Sequence, residues 1–230
     1  MFEAVLFDLD GTLADTAPDM ARTVNLMRTR RGLAPVSLDL VRPYVSRGAR
    51  GMIMSAFDIT ADHADYPAMR EEFLSLYEQN LFVDSMLFPG MDSLLDRLDA
   101  QDIAWGVVTN KFERFARPLL EQMGLGTRAR VIVGGDTCPK AKPFPEPLLF
   151  AAEKVGVKPA AALYVGDDER DVQAARAAGM PVVVAAYGYL GGGNPVAWKA
   201  DGIVDSAQEL GAWIFGEGDR ERERAQRSAR

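Results

Sequence analysis

The stretch EAVLFDLDGT, residues 3–12, decides the fold of this chain. Its first half is a continuous apolar run without the alternation of a half-exposed strand, which predicts a strand buried on both faces. The run ends at Asp8, and the residues after it are polar. Ligands of open parallel α/β sheets bind outside the carboxyl ends of the strands. Asp8 and Asp10 are therefore candidate site residues.

More apolar runs of strand length follow the first. They are residues 103–108, 130–133, 162–165 and 181–184. Helical patterns lie between these later runs. The alternation of buried strands with helices predicts an α/β fold built on a parallel sheet.

The first two predicted strands are separated by nearly a hundred residues, far more than one crossover helix needs. Thr16 is placed to cap a helix that has Pro18 in its first turn and Gly32 beyond its end. Residues 66–81 also carry apolar side chains at helical spacing. We expect a helical module at residues 16–86, inserted into an α/β core formed by residues 1–15 and 87–215.

Composition limits the partners of the protein. The 230-residue chain has a formal net charge of -7, which disfavours binding to nucleic acid or to an anionic membrane. Cys138 is the single cysteine, and no signal peptide or apolar stretch of about 20 residues is present. We expect a cytoplasmic monomer or homodimer with a flexible arginine-rich tail at residues 216–230.

Polar residues cluster where the predicted strands end. Thr109 and Asn110 follow the second strand, and Lys142 lies a little downstream of the third. Three carboxylates follow the fourth strand, namely Asp167, Asp168 and Asp171. Several carboxylates with one lysine and one hydroxyl suit a hard cation and a phosphate group together.

Each of these motifs also has an ordinary structural explanation. The DLDG sequence is typical of a turn, and GDDERD is typical of the first turn of a helix. A calcium loop beginning at Asp8 is excluded by spacing, because Leu13 stands where glycine is needed and Asp19 where glutamate is needed. The occurrence of the motifs in order, each after a strand, favours a functional site.

The motifs resemble those of the haloacid dehalogenase superfamily. The resemblance rests on DLDGTLADT (8–16), VVTN (107–110), KPFPEP (142–147) and GDDERD (166–171), and it covers nearly the whole chain except the tail. The helical insertion is similar to the mobile cap of phosphoglycolate phosphatases in that superfamily. The resemblance implies a Rossmann-like core, an inserted cap, and phosphatase activity on a small phosphomonoester with Mg²⁺ as cofactor.

The resemblance also implies roles for individual residues. Asp8 is the expected nucleophile, and Asp10 the expected general acid and base. Mg²⁺ is expected on Asp8, on the Asp10 backbone carbonyl and on Asp167. Asp171 is expected to orient Lys142 or metal-bound water from beside these ligands, and Asp168 is a further candidate for that position. The expected phosphate ligands are the Thr109 hydroxyl, the Asn110 backbone N–H and Lys142.

Other functions stay open at this stage. Asp10 argues against a haloacid dehalogenase, which lacks a second aspartate. A sugar phosphomutase shares the motifs and differs in its cap chemistry. A catalytically silent phosphate-binding protein would be expected to lose one of the motif residues, and this chain has them all.

The expected substrate site is the cap sequence SRGARG, residues 46–51. Arginines and helix N-termini both favour anions, so Arg47, Gly48 and Arg50 are candidates for binding a second anion beside the phosphate. The alternative is that both arginines are surface charges. Two carboxylated substrates fit the resemblance. One is 2-phosphoglycolate, and the other is N-acetylmuramic acid 6-phosphate, because VSRGARGM and WGVVTNK look like segments of the bacterial phosphatases that act on this amino sugar.

Overall fold

The computed structural model describes residues 2–217, and the remainder of the predicted flexible tail lies outside this range. The strands of this part are numbered along the chain as β1 Ala4–Phe7, β2 Ala14–Asp15, β3 Met86–Leu87, β4 Ala104–Val108, β5 Ile132–Val133, β6 Ala162–Gly166, β7 Val182–Ala185 and β8 Gly202–Val204. Six of them form one parallel sheet in the order β5–β4–β1–β6–β7–β8. The predicted α/β fold class is therefore confirmed.

The helices lie between and after these strands. They are α1 Ala17–Arg30, α2 Leu38–Val41, α3 Gly48–Phe57, α4 Tyr66–Gln79, α5 Met91–Ala100, α6 Glu113–Gln122, α7 Glu146–Val155, α8 Glu169–Ala178 and α9 Ala207–Phe215. None of the helices within residues 2–217 has the length and apolar character needed to cross a membrane.

Strand β1 is fully buried at the centre of the sheet. Successive side chains of a strand point to opposite faces. Val5 and Phe7 accordingly pack in one core with apolar residues of α5, α6 and α9, whereas Ala4 and Leu6 pack in a second core with α7 and α8. Burial on both faces explains the continuous apolar run in the sequence.

Two features of the sheet structure escaped the sequence analysis. Strand β8 adds a sixth member to the sheet, but it has three residues, and Ile203 at its centre is exposed. The strands β2 and β3 form a separate antiparallel pair of two residues each. Both features are too short to produce an apolar run of strand length.

The β2–β3 pair is also the place where the chain leaves and re-enters the core. Ala14 pairs with Leu87 and Asp15 pairs with Met86. Residues 16–86, called the cap segment below, therefore begin and end side by side. Within this segment α1, α3 and α4 pack against one another.

The expected side-chain cap of α1 is wrong. Thr16 occupies the N-cap position, but its side chain makes no capping hydrogen bond. Its hydroxyl instead donates to Oδ1 of Asp10 at 2.5 Å. The hydroxyl is oriented by the Asp10 carboxylate, six residues earlier in the chain.

The turn at residues 83–85, near the end of the cap segment, is held by Asp19 of α1, which is fully buried. Its carboxylate accepts hydrogen bonds from the backbone N–H groups of Val83, Asp84 and Ser85 at 2.9–3.2 Å, and from the Ser85 hydroxyl at 2.6 Å. One side chain therefore satisfies the buried donors of a turn more than 60 residues away.

We predict that Asp19→Asn destabilises the protein by about 2–4 kcal/mol, because the amide group turns a donor toward backbone donors that lose their acceptor. Urea denaturation measures this change. Glu78→Gln is the matched control, since Glu78 is an exposed cap residue without a hydrogen-bond or ion-pair partner among the described residues. Equal stability of the two variants would contradict the prediction.

Candidate functional site

The sheet brings the predicted strand-end residues to one place. The register sets Phe7 of β1 between Val107 of β4 and Val165 of β6. Asp8, Thr109 and Asp167 then follow their strands at the same edge of the sheet. Asp8, Asp10, Thr109, Asn110, Lys142 and Asp171 line a common cavity.

Lys142 is the buried centre of this edge. Its ammonium lies 3.0 Å from Oδ1 of Asp8 and 2.7 Å from Oδ1 of Asp171. It also contacts the hydroxyl of Tyr164 at 2.8 Å. Burial alone lowers the pKa of Lys142, but the Asp171 and Asp8 carboxylates reverse this effect and raise it above its ordinary value. The lysine is therefore held as a cation beside Asp8.

The Asn110 side chain fixes the loop that carries Lys142. Its Nδ2 donates to the Lys142 carbonyl at 2.9 Å, and its Oδ1 accepts from the Lys142 backbone N–H at 3.0 Å. The sequence analysis considered only the backbone N–H of Asn110. The side chain joins two loops that are 32 residues apart.

Three carboxylates crowd together beside Lys142. One oxygen from each of Asp8, Asp167 and Asp171 lies within 4.8 Å of the other two. Burial, together with the Asp171 and Asp10 charges, raises the pKa of Asp8 to about 6, although Lys142 opposes this shift. Burial followed by the Asp8 and Asp171 charges raises the pKa of Asp167 well above its ordinary value. An all-oxygen set of close carboxylates fits a hard divalent cation.

Asp167 is oriented by neutral donors. The Thr12 hydroxyl donates to its Oδ1 at 3.0 Å, and the backbone N–H of Tyr189 donates to its Oδ2 at 2.8 Å. Gly11 has a φ of 87°, and a Cβ atom at this position would overlap the Asp167 carboxylate. Glycine is therefore required where the DLDG turn meets the carboxylate.

The Asp10 carboxylate has different partners from the Asp8 carboxylate. It accepts from the Thr16 hydroxyl and from the ammonium of Lys111, which lies 2.7 and 3.0 Å from its two oxygens. The Lys111 side chain is 5% exposed. The sequence analysis missed this lysine, although its position directly after Thr109 and Asn110 was an available signal.

Asp168 lies outside the three-carboxylate cluster. It caps α8 by accepting from the Arg170 backbone N–H at 3.0 Å, and it binds the Arg170 guanidinium at 2.8 and 2.9 Å. Arg170 in turn donates to the Ser46 carbonyl of the cap segment at 2.7 Å. Asp168 thus supports a contact between the core and the cap segment, and its expected position beside the metal ligands stays a prediction.

The cavity has a volume of about 410 Å³ and lies between the strand ends and the cap segment. Arg47, Gly48 and Arg50 line it. The Arg47 guanidinium lies over the Tyr44 ring and 3.5 Å from the Gly191 carbonyl. Arg50 has no carboxylate partner among residues 2–217. An aromatic wall completes the cavity, formed by Tyr66, Phe73, Tyr77, Phe112 and Phe115.

Known proteins resemble this chain over most of its length. The family model of haloacid dehalogenase-like hydrolases matches residues 5–185. A phosphoglycolate phosphatase from Xanthomonas campestris pv. campestris is 49% identical over 90% of this chain and 94% of the relative. An N-acetylmuramic acid 6-phosphate phosphatase from Pseudomonas aeruginosa is 43% identical over 90% of this chain and 92% of the relative.

A solved structure extends the similarity to the fold. The crystal structure of a predicted phosphoglycolate phosphatase from Haemophilus somnus has a TM-score of 0.81 and 31% identity to this chain. The match covers 91% of this chain and 96% of that one.

We predict that Mg²⁺ raises the melting temperature of the protein, because a cation that binds only the folded chain relieves repulsion among Asp8, Asp167 and Asp171. Asp167→Asn should remove most of this shift. Asp168→Asn is the matched control, since Asp168 is paired with Arg170. Thermal denaturation during a Mg²⁺ titration measures the effect. The same Mg²⁺ response in both variants would show that Asp167 is not a ligand.

Proposed function

The chain belongs to the haloacid dehalogenase-like hydrolase family, and we propose that it is a Mg²⁺-dependent phosphatase acting through an aspartyl-phosphate intermediate on Asp8. The observation that carries this proposal is the contact of Asp8 with the buried Lys142 ammonium inside a carboxylate cluster. The lysine favours the charged form of Asp8 that a nucleophile requires.

Catalysis proceeds in two displacements. The Asp8 carboxylate attacks phosphorus, the bond from phosphorus to the ester oxygen breaks, and Asp10 gives its proton to the departing alkoxide. Asp10 then accepts a proton from water, which attacks the acyl-phosphate and releases inorganic phosphate and free Asp8. Division into two displacements replaces one difficult step with two easier ones.

The remaining strand-end residues hold the transferring group. The Thr109 hydroxyl, the Asn110 backbone N–H and Lys142 donate to phosphoryl oxygens and stabilise the charge that develops on them. Asp8, Asp167 and the Asp10 carbonyl are the proposed ligands of Mg²⁺, and Asp171 positions Lys142 through their 2.7 Å contact. When bound, the cation neutralises negative charge on the phosphoryl group.

The proposed substrate is a small phosphomonoester with a carboxylate. The names of the relatives support two compounds of this kind, 2-phosphoglycolate and N-acetylmuramic acid 6-phosphate. The cavity favours the second compound in one respect. Its volume of about 410 Å³ and its aromatic wall are typical of pockets that enclose ligands much larger than a two-carbon acid. A phosphomutase stays the alternative within the family.

Opening and closing of the cap segment is part of the proposal. Closure about residues 14–17 and 87–90 would exclude bulk water from the acyl-phosphate. Contacts that already link the two parts include the Arg170 bond to the Ser46 carbonyl and the bidentate pair of Arg42 with Asp15 at 3.0 Å.

We predict that Asp8→Asn reduces phosphate release to background while the variant stays folded, because the near-isosteric amide is not a nucleophile. Asp10→Asn should lower kcat by roughly 10²–10⁴-fold, the usual contribution of general acid–base catalysis. Phosphate release and circular dichroism measure turnover and folding separately. An Asp8→Asn variant that keeps a tenth of the wild-type rate would remove Asp8 from the nucleophilic role.

A matched pair of sugars tests the contribution of Arg50. N-acetylglucosamine 6-phosphate lacks the lactyl carboxylate of N-acetylmuramic acid 6-phosphate. If Arg50 binds that carboxylate, Arg50→Ala should lower the ratio of the two kcat/KM values, muramic over glucosamine, by about tenfold, as expected for one lost charge-assisted bond. Arg117→Ala is the control, because Arg117 pairs with Glu113 on α6. An unchanged ratio of the two kcat/KM values would show that Arg50 does not bind the carboxylate.

A further inference from the structure

The hydroxyl of Tyr77 is a buried polar group without a structural function. Tyr77 lies on α4, is 2% exposed and lines the cavity. Its ring packs against Phe73 and Phe115 with centroid distances of 6.0 and 5.6 Å. Within residues 2–217 its hydroxyl hydrogen has no acceptor, while its oxygen lies near the Lys111 ammonium. An unpaired buried hydroxyl destabilises a fold, and phenylalanine would supply the same ring without this cost.

Lys111 presents a second donor at the same place. Its ammonium lies 4.9 Å from the centre of the Tyr77 ring and binds both oxygens of Asp10. A lysine ammonium has three protons, so one proton is left after these two bonds. Burial raises the pKa of Tyr77 to about 12, so its hydroxyl stays protonated and donates. The Lys111 ammonium and the Tyr77 hydroxyl are therefore two donors near Asp10 in the wall of the cavity.

We infer that the Tyr77 hydroxyl and the Lys111 ammonium form a subsite for a substrate oxygen close to the ester oxygen. The inference rests on the proposed function, because that function places Asp10 at the departing ester oxygen. An oxygen that reaches donors adjacent to Asp10 must be only a few bonds from that atom. In 2-phosphoglycolate the carboxylate oxygens are three bonds from the ester oxygen, and in a hexose 6-phosphate the ring oxygen is at the same separation.

This subsite makes Tyr77 a specificity-determining residue of the cap segment. It differs from the Arg47 and Arg50 positions because its partner, Lys111, belongs to the core. The aromatic ring keeps its contact with the lysine in Tyr77→Phe, so this variant removes the hydroxyl alone.

The test compares 2-phosphoglycolate with ethyl phosphate, which has a methyl group in place of the carboxylate. We expect the wild-type protein to have a higher kcat/KM for 2-phosphoglycolate, and Tyr77→Phe to reduce the ratio of the two values by about tenfold, the effect of one hydrogen bond to a charged group. The melting temperature of Tyr77→Phe should be equal to or above that of the wild type. Tyr44→Phe, which removes a hydroxyl from the cap segment outside the cavity, should leave the ratio unchanged.

The outcomes separate the inference from the proposed function. A wild-type ratio near one, or the same ratio in wild type and Tyr77→Phe, would overturn the inference while phosphate release from either ester upholds phosphatase activity. A wild-type protein that releases phosphate from neither ester nor from N-acetylmuramic acid 6-phosphate would overturn the proposed function, and the inference with it. If only the sugar phosphate is hydrolysed, an unchanged kcat/KM for it in Tyr77→Phe would overturn the inference and leave the proposed function standing.

Discussion

The close approach of buried carboxylates is the constraint around which this molecule is arranged. Asp8, Asp167 and Asp171 place oxygens within 4.8 Å of one another, and like charges at this distance require compensation. Lys142 contacts Asp8 and Asp171. Asp167 is bound by the neutral donors of Thr12 and Tyr189, which orient it without neutralising it. The uncompensated charge is the physical reason that a divalent cation suits this edge of the sheet.

The same constraint extends to the cap segment through Tyr189. Its backbone N–H binds Asp167, and its hydroxyl accepts from the backbone N–H groups of Thr16 and Ala17 at 2.8 and 3.0 Å. The hydroxyl also donates to Asp15, the residue that pairs with Arg42. One tyrosine therefore connects the carboxylate cluster to residues 15–17, where the cap segment begins. Through Tyr189, Asp167 is linked to the start of the cap helix α1.

Local patterns made the sheet and its strand-end residues predictable, because a buried strand and the residue that ends it are adjacent in sequence. Long-range contacts were not predictable in this way. Lys111 meets Asp10 across 101 positions, and Tyr189 meets Asp15 across 174. Thr16 has the residue type of a helix cap, but its hydroxyl donates to Asp10 six residues earlier, a contact that depends on the turn between them and not on residue type. Strand β8 was missed because its three residues are too few to form an apolar run of strand length.

The arrangement of donors in the cavity separates two aspects of substrate recognition. Lys111 and Tyr77 lie beside Asp10, where the two candidate substrates are alike, since each has an oxygen three bonds from the ester oxygen. Donors at this position favour both compounds over an alkyl phosphate and do not distinguish them from each other. The candidates differ in size and in the place of the carboxylate, so discrimination must arise farther from Asp10. Arg50 and Tyr66 line the cavity as parts of the cap segment and are the candidates for this discrimination. Substitutions there can change the preferred substrate while the strand-end chemistry stays the same.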